Sequence, residues 1–132
     1  MYPRSRGTVI LLLIAVGGAA GSVARYLFGR AVQGAIHPDF PIGTFAVNAA
    51  GCLLVGVLAR VFLHSQTELS LRAMLMVGFC GGFTTFSTFT LETLGLIQGG
   101  ELVRAAAYMT LSCVVCVGAT IAGFAMGRPL NP

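Results

Sequence analysis

Three glycines, four hydroxyls and four phenylalanines follow one another in Gly78-Phe79-Cys80-Gly81-Gly82-Phe83-Thr84-Thr85-Phe86-Ser87-Thr88-Phe89, in the middle of an apolar run. In hydrocarbon each unsatisfied N–H or C=O costs several kcal/mol, so apolar runs there are normally unbroken helix. A segment that loosens its backbone and then clusters hydroxyl groups is expected where those groups line a polar pathway or hold an ion. The chemistry this points to is transport.

The rest of the chain offers matching residues. An aromatic ring has a positive edge, so the edges of Phe86 and Phe89, which share one helical face, suit a small anion in a narrow, dry passage; rings in a span otherwise face lipid or fill a core. An anion leaving water needs substitute donors, and Asn48, Thr85, Ser87, Thr88, Tyr108 and Ser112 can supply them. Thr44 and Gly51 fall on the face of Asn48, the one amide in its block; the plainer role of that amide is an interhelical hydrogen bond, worth about 0.6 kcal/mol in membranes. Tyr108 and Ser112, one turn apart, form a narrow polar stripe that either lines something wet or glues two helices. Arg25 shares a face with Gly17 and Gly21 and has two readings: snorkelling to headgroups, or an inward role in attracting anions or tying down a dimer. Glu92 reads as a solvated interfacial carboxylate.

Composition says what must position these groups. Of 132 residues 56% are hydrophobic and only 9% charged, against about 25% in a soluble domain. Charges delimit four apolar blocks, each near the roughly 20 residues that a spanning helix needs. The expected fold is one all-α transmembrane domain over residues 1–132, with spans at about 9–28, 42–59, 73–91 and 105–126. A cleaved signal peptide is the rival reading of Arg4, Arg6 and the Val9–Val16 run, but three further spans follow it.

All eight basic residues are arginine. Their distribution leans only weakly toward cytoplasmic termini, as in a chain inserting in both orientations. Pro38 and Pro41 end the first helix, residues 64–70 read as a short polar turn, and Gly99-Gly100 breaks the chain before the fourth span. His37 and His64 receive no function. Cys113-Val114-Val115-Cys116 has a redox or zinc spacing without a second pair, so the four cysteines read as small packing residues. Gly17/Gly21, Gly78/Gly82 and Gly123/Gly127 are small-xxx-small pairs that permit close helix approach. Four helices enclose little interior, so a second copy is expected to complete any wet path.

Taken together, these residues resemble a known family. Gly17-Gly18-Ala19-Ala20-Gly21-Ser22-Val23-Ala24-Arg25-Tyr26, Gly43-Thr44-Phe45-Ala46-Val47-Asn48 and above all Gly81-Gly82-Phe83-Thr84-Thr85-Phe86-Ser87-Thr88-Phe89 are similar to the small fluoride channels called Fluc or CrcB, found in bacterial inner membranes. The resemblance implies an antiparallel homodimer inserted in both orientations, with two pores exporting fluoride passively and a third helix broken at the motif. It implies that Gly81 and Thr84 carbonyls from both copies hold a structural sodium ion. It places the pore on Asn48, Phe86 and Phe89, with a fourth-helix polar track on Tyr108 and Ser112.

The function expected is therefore relief of fluoride toxicity by a fluoride-selective channel. The alternative is a small multidrug-type proton-coupled exporter, which wants a carboxylate in the first span, where none occurs. A third class, a non-transporting assembly subunit, accounts for the glycines but not for the hydroxyl–phenylalanine cluster. No buried acid–base pair or metal cluster is apparent, so no enzyme is expected.

Overall fold

A computed structural model describes residues 4–36, 39–63 and 69–128; His37, Pro38 and His64 lie outside them. Helix α1 (Arg4–Ile36) is followed by α2 (Ile42–Val61), α3 (Leu69–Arg72), a π-helical segment (Ala73–Cys80), α4 (Gly81–Phe83), α5 (Phe86–Gln98) and α6 (Leu102–Met126). No strand occurs among the described residues. Among the described residues four stretches are long and apolar enough to cross a bilayer, Gly7–Ile36, Ile42–Val61, Leu69–Gln98 and Leu102–Met126. The chain is an all-α, multi-pass membrane protein whose third span is broken.

The helices outrun the apolar blocks. α1 has 33 residues, about 50 Å at 1.5 Å per residue, and passes through Arg25 and Arg30 without a break. Charge marks where lipid compatibility ends, not where backbone hydrogen bonding ends. For the same reason the third span begins at Leu69 and takes in Ser70, which the sequence assigned to a turn.

Two connections show how ends are satisfied. No side chain caps α2, which starts after Pro41. Gln33 does that work from α1: its Nε2 donates to the Phe40 carbonyl at 2.9 Å and its Oε1 accepts from the Gly43 N–H at 3.0 Å. Between α5 and α6, Gly100 has a φ of 78°, which glycine adopts without a Cβ penalty. That lets Glu101 N–H reach the Leu96 carbonyl at 2.8 Å and Gly100 N–H the Ile97 carbonyl at 3.0 Å, a Schellman closure.

The spans pack backbone against backbone. A Cβ at Gly17 would collide with the Met74 carbonyl, one at Gly21 with the Phe79 carbonyl, and one at Gly82 with the Gly18 carbonyl. These positions seat α1 on the first half of the third span. On the other side, Gly56 would meet Thr120 and Gly123 would meet Leu53, seating α2 on α6. The small-xxx-small pairs, read from sequence as favouring a second copy, are thus taken up inside one chain. They cannot be counted toward a dimer.

Gly56→Val should wedge α2 off α6. Overpacking a tight contact typically costs about 1–3 kcal/mol, so its melting temperature in detergent should fall, whereas Gly118→Ala, where nothing lies within 4 Å of the added carbon, should leave it unchanged. Equal melting of both variants and the parent would contradict the backbone-contact account.

Candidate functional site

The break in the third span lies at Thr84 and Thr85. Thr84 ends α4, its N–H and its hydroxyl both donating to the Cys80 carbonyl at 3.0 Å. The chain then extends, with φ/ψ of −81°/157° at Thr84 and −149°/115° at Thr85. The π-helical segment just before it fits a helix under local rearrangement, since π turns are rare and concentrate at functional positions.

Asn48 holds the break. Its Oδ1 accepts from the Thr85 N–H at 2.7 Å and its Nδ2 donates to the Thr85 carbonyl at 3.0 Å. In unbroken helix the Thr85 N–H would donate to the Gly81 carbonyl; here that carbonyl loses its helical donor. Thr85 also restarts the helix. Its Oγ1 accepts from the Thr88 N–H at 3.2 Å, donates to Thr88 Oγ1 at 3.0 Å and lies 3.2 Å from Ser87 Oγ. A threonine in extended conformation that caps its own helix is a favoured N-cap. Thr88 N–H therefore leaves the Thr84 carbonyl, which instead accepts from Arg25 Nη1 at 3.3 Å. Arg25, deep in α1, is thus tied to the break within the chain, a contact that neither of its two sequence readings named.

Two recesses flank the break. An apolar one of about 400 Å³ is lined by Asn48, Gly51, Gly81, Thr84, Thr85, Phe86, Phe89 and Ser112 among others. A more polar one of about 420 Å³ is lined by Arg25, Arg30, Thr44, Thr85, Thr88 and Glu92 among others. Thr85 borders both, at the positive N-terminal end of α5. Phe86 is 75% exposed and Phe89 only 8%, yet their ring centroids lie 5.4 Å apart. Phe89 reaches inward to Tyr108, at 5.1 Å between centroids, while Phe86 faces outward. Ser112 Oγ is buried and has no hydrogen-bond partner among the described residues.

Glu92 corrects the sequence reading. Instead of standing solvated it accepts from Thr44 Oγ1 and from Tyr108 Oη, both at 2.7 Å. One carboxylate thereby joins α2, α5 and α6. Tyr108 is fully buried, packed edge-on against Phe40, and its hydroxyl points to Glu92; Ser112, one turn on, borders the apolar recess. The stripe on α6 therefore serves two different surroundings.

Among the described residues no group of three or more His, Cys, Asp or Glu forms a metal cluster. The Gly81 and Thr84 carbonyls do fit a hard cation, which takes oxygen ligands. Both have lost their helical donors, and Gly81 is exposed with nothing within 4 Å of where a Cβ would stand. Asn48 makes the interhelical hydrogen bond of its plainer reading, with the Thr85 backbone as its partner; the role of Gln33 as a remote cap was missed in the sequence. An amide alone among apolar residues signals that a partner exists without saying which. A better signal lay in Thr85, a hydroxyl three residues before another and three after the last of the glycines.

Asn48→Leu should leave Thr85 N–H and C=O without partners. An unsatisfied buried group costs about 1–3 kcal/mol, so melting in detergent should drop more than for Thr90→Val, whose hydroxyl makes one exposed bond to the Ser87 carbonyl. Indistinguishable melting would show that the clamp contributes nothing.

The chain has close counterparts among known proteins. Residues 12–124 match the family model described as CrcB-like protein, Camphor Resistance (CrcB). A protein of Nitrobacter winogradskyi named fluoride-specific ion channel FluC is 49% identical, over 89% of this chain and 94% of its own length. FluC 1 of Nitrobacter hamburgensis is 46% identical, over 91% and 96%. FluC of Paracoccus denitrificans is 44% identical, over 90% and 94%. With a family match across most of its length and relatives this similar end to end, the chain belongs to the CrcB family.

Proposed function

We propose that this protein is a fluoride-selective channel that lets fluoride leave the bacterial cell passively across the inner membrane, and that it is not an enzyme. The observation that carries the reading is the interrupted third span, whose α5 N-terminus opens between two recesses at Thr85. A helix N-terminus presents unpaired N–H groups and favours negative charge. The names of the relatives, fluoride-specific ion channels, supply the ion. The acid HF enters from acidic surroundings and dissociates inside; a passive path then relieves the trapped anion.

The working unit in this reading is an antiparallel homodimer, inserted in both orientations and surrounded by lipid. Support comes from the outward-facing ring of Phe86, 75% exposed, and from the exposed Gly81 at the edge of the apolar recess. The Gly81 and Thr84 carbonyls of two copies would hold a structural sodium ion, which when bound would pin the two breaks together. Fluoride would pass Phe86 and Phe89 ring edges, taking hydrogen bonds from hydroxyls such as Ser112, whose Oγ has no partner among the described residues. Asn48 keeps one N–H beyond the bond to Thr85. The proton-coupled exporter has no carboxylate in Gly7–Ile36 to build on.

Purified protein in liposomes should release fluoride and barely any chloride; chloride flux of equal size would defeat the selectivity. Phe86→Ile keeps bulk but removes the ring edge. If that edge is worth about 1.4 kcal/mol at the barrier, efflux falls about tenfold, and unchanged efflux from a folded variant would remove the ring from the path. Asn48→Asp retains the acceptor for Thr85 N–H but sets negative charge beside an anion, so efflux should fall as long as the carboxylate is ionised. Full efflux with the new carboxylate shown to be charged would take Asn48 off the pathway.

A further inference from the structure

The four cysteines come from three different spans, yet Cys52, Cys80, Cys113 and Cys116 all border the same apolar recess of about 400 Å³. All four are free thiols. Two of them are neighbours by helix register: Cys52 on α2 and Cys116 on α6 each lie one turn before a residue of the Gly56–Thr120 backbone contact, and both border the recess. The helix packing explains why. Spans two and four run parallel, and their backbones touch at Gly56 and Gly123. Cys52 lies one turn before Gly56, and Cys116 two turns before Gly123. The pair is neither sealed nor fully open, since both thiols are partly accessible.

We propose that Cys52 and Cys116 form a two-coordinate site for a soft divalent cation of the mercuric type. Thiolates select soft metals. Two facing sulfurs from separate helices suit an ion that prefers two ligands in line. Zinc wants four, and among the described residues no set of three or more His, Cys, Asp or Glu could supply them. Charge selects the valence. Binding releases two protons, one from each thiol, and forms two metal–sulfur bonds with no change of oxidation state. Two thiolates and a divalent ion sum to zero, whereas a monovalent ion would leave one net negative charge in an apolar recess, where an uncompensated charge is costly. Cys113 is exposed and Cys80 buried, and neither stands in the Gly56–Thr120 register that sets Cys52 beside Cys116.

The test counts metal. A Cys80→Ala/Cys113→Ser variant in detergent, titrated with mercuric acetate in chloride-free buffer, should take up one mercury per chain by mass spectrometry and show the ultraviolet band of a bis-thiolate complex. Adding Cys52→Ser or Cys116→Ser to that background should abolish the band. Should the double variant not fold, the native chain serves. Mercury should then shield Cys52 and Cys116, but not Cys113, from alkylation by N-ethylmaleimide as read on peptides, and zinc should shield none. A band that survives loss of either thiol, or shielding confined to Cys113 with Cys116, would overturn the site. Neither readout depends on fluoride movement, so failure here and failure of the channel reading are separable.

Discussion

One side-chain amide determines the shape of the third span. A broken helix in an apolar medium is ordinarily unaffordable, because the peptide groups at the break have no water to turn to. Asn48 answers both polar groups of Thr85 at once, at 2.7 and 3.0 Å. Everything distinctive about the site follows from that pairing. With Thr85 held extended, its hydroxyl is free to cap α5, the Gly81 and Thr84 carbonyls are released, and the positive end of a helix appears inside the membrane-spanning region. Arg25 then steadies the Thr84 carbonyl from α1. The interruption is held from two other spans and is not a local preference of the glycines.

Around this centre the polar groups form connected sets. Thr85, Thr88 and Ser87 share one hydroxyl cluster, and Thr44, Glu92 and Tyr108 share another. Both touch α2 and α5. The second adds α6, so a carboxylate that would be expensive alone in a span is held by two donors. This arrangement stiffens one flank of the site, where Phe89 and Phe40 close on the Tyr108 ring. The opposite flank, bearing Phe86, is left open.

Much of this was legible from residue types. Charge spacing marks four spans, and the glycine–hydroxyl–phenylalanine run marks the break, because each is a local property of the chain. Partners are not local. Asn48 and Thr85 are 37 residues apart and Arg25 and Thr84 are 59 apart, and nothing in either segment names the other. Glu92 was misread for that reason: seen alone at the edge of an apolar block it looks solvated, and only the fold brings Thr44 and Tyr108 to it. The glycine pairs failed differently. Their spacing announces close contact correctly, but a contact within the chain and one between copies leave the same trace in sequence. Helix ends were underestimated because hydropathy reports the solvent of a residue, whereas α1 continues to Ile36 on its own hydrogen bonds.

The glycine crossings also constrain how this protein moves. Helices cushioned by long side chains can slide, since rotamers yield as one surface passes another. Where Gly17 rests on Met74 and Gly56 on Thr120, main chain meets main chain and there is no compliant layer to shear. Slow rearrangement of whole spans, on the microsecond-to-millisecond scale, has little room in such a frame. Fluctuation in the width of the recess falls instead to side chains that hop in picoseconds to nanoseconds when exposed, with the uncovered ring of Phe86 the largest of them at its rim.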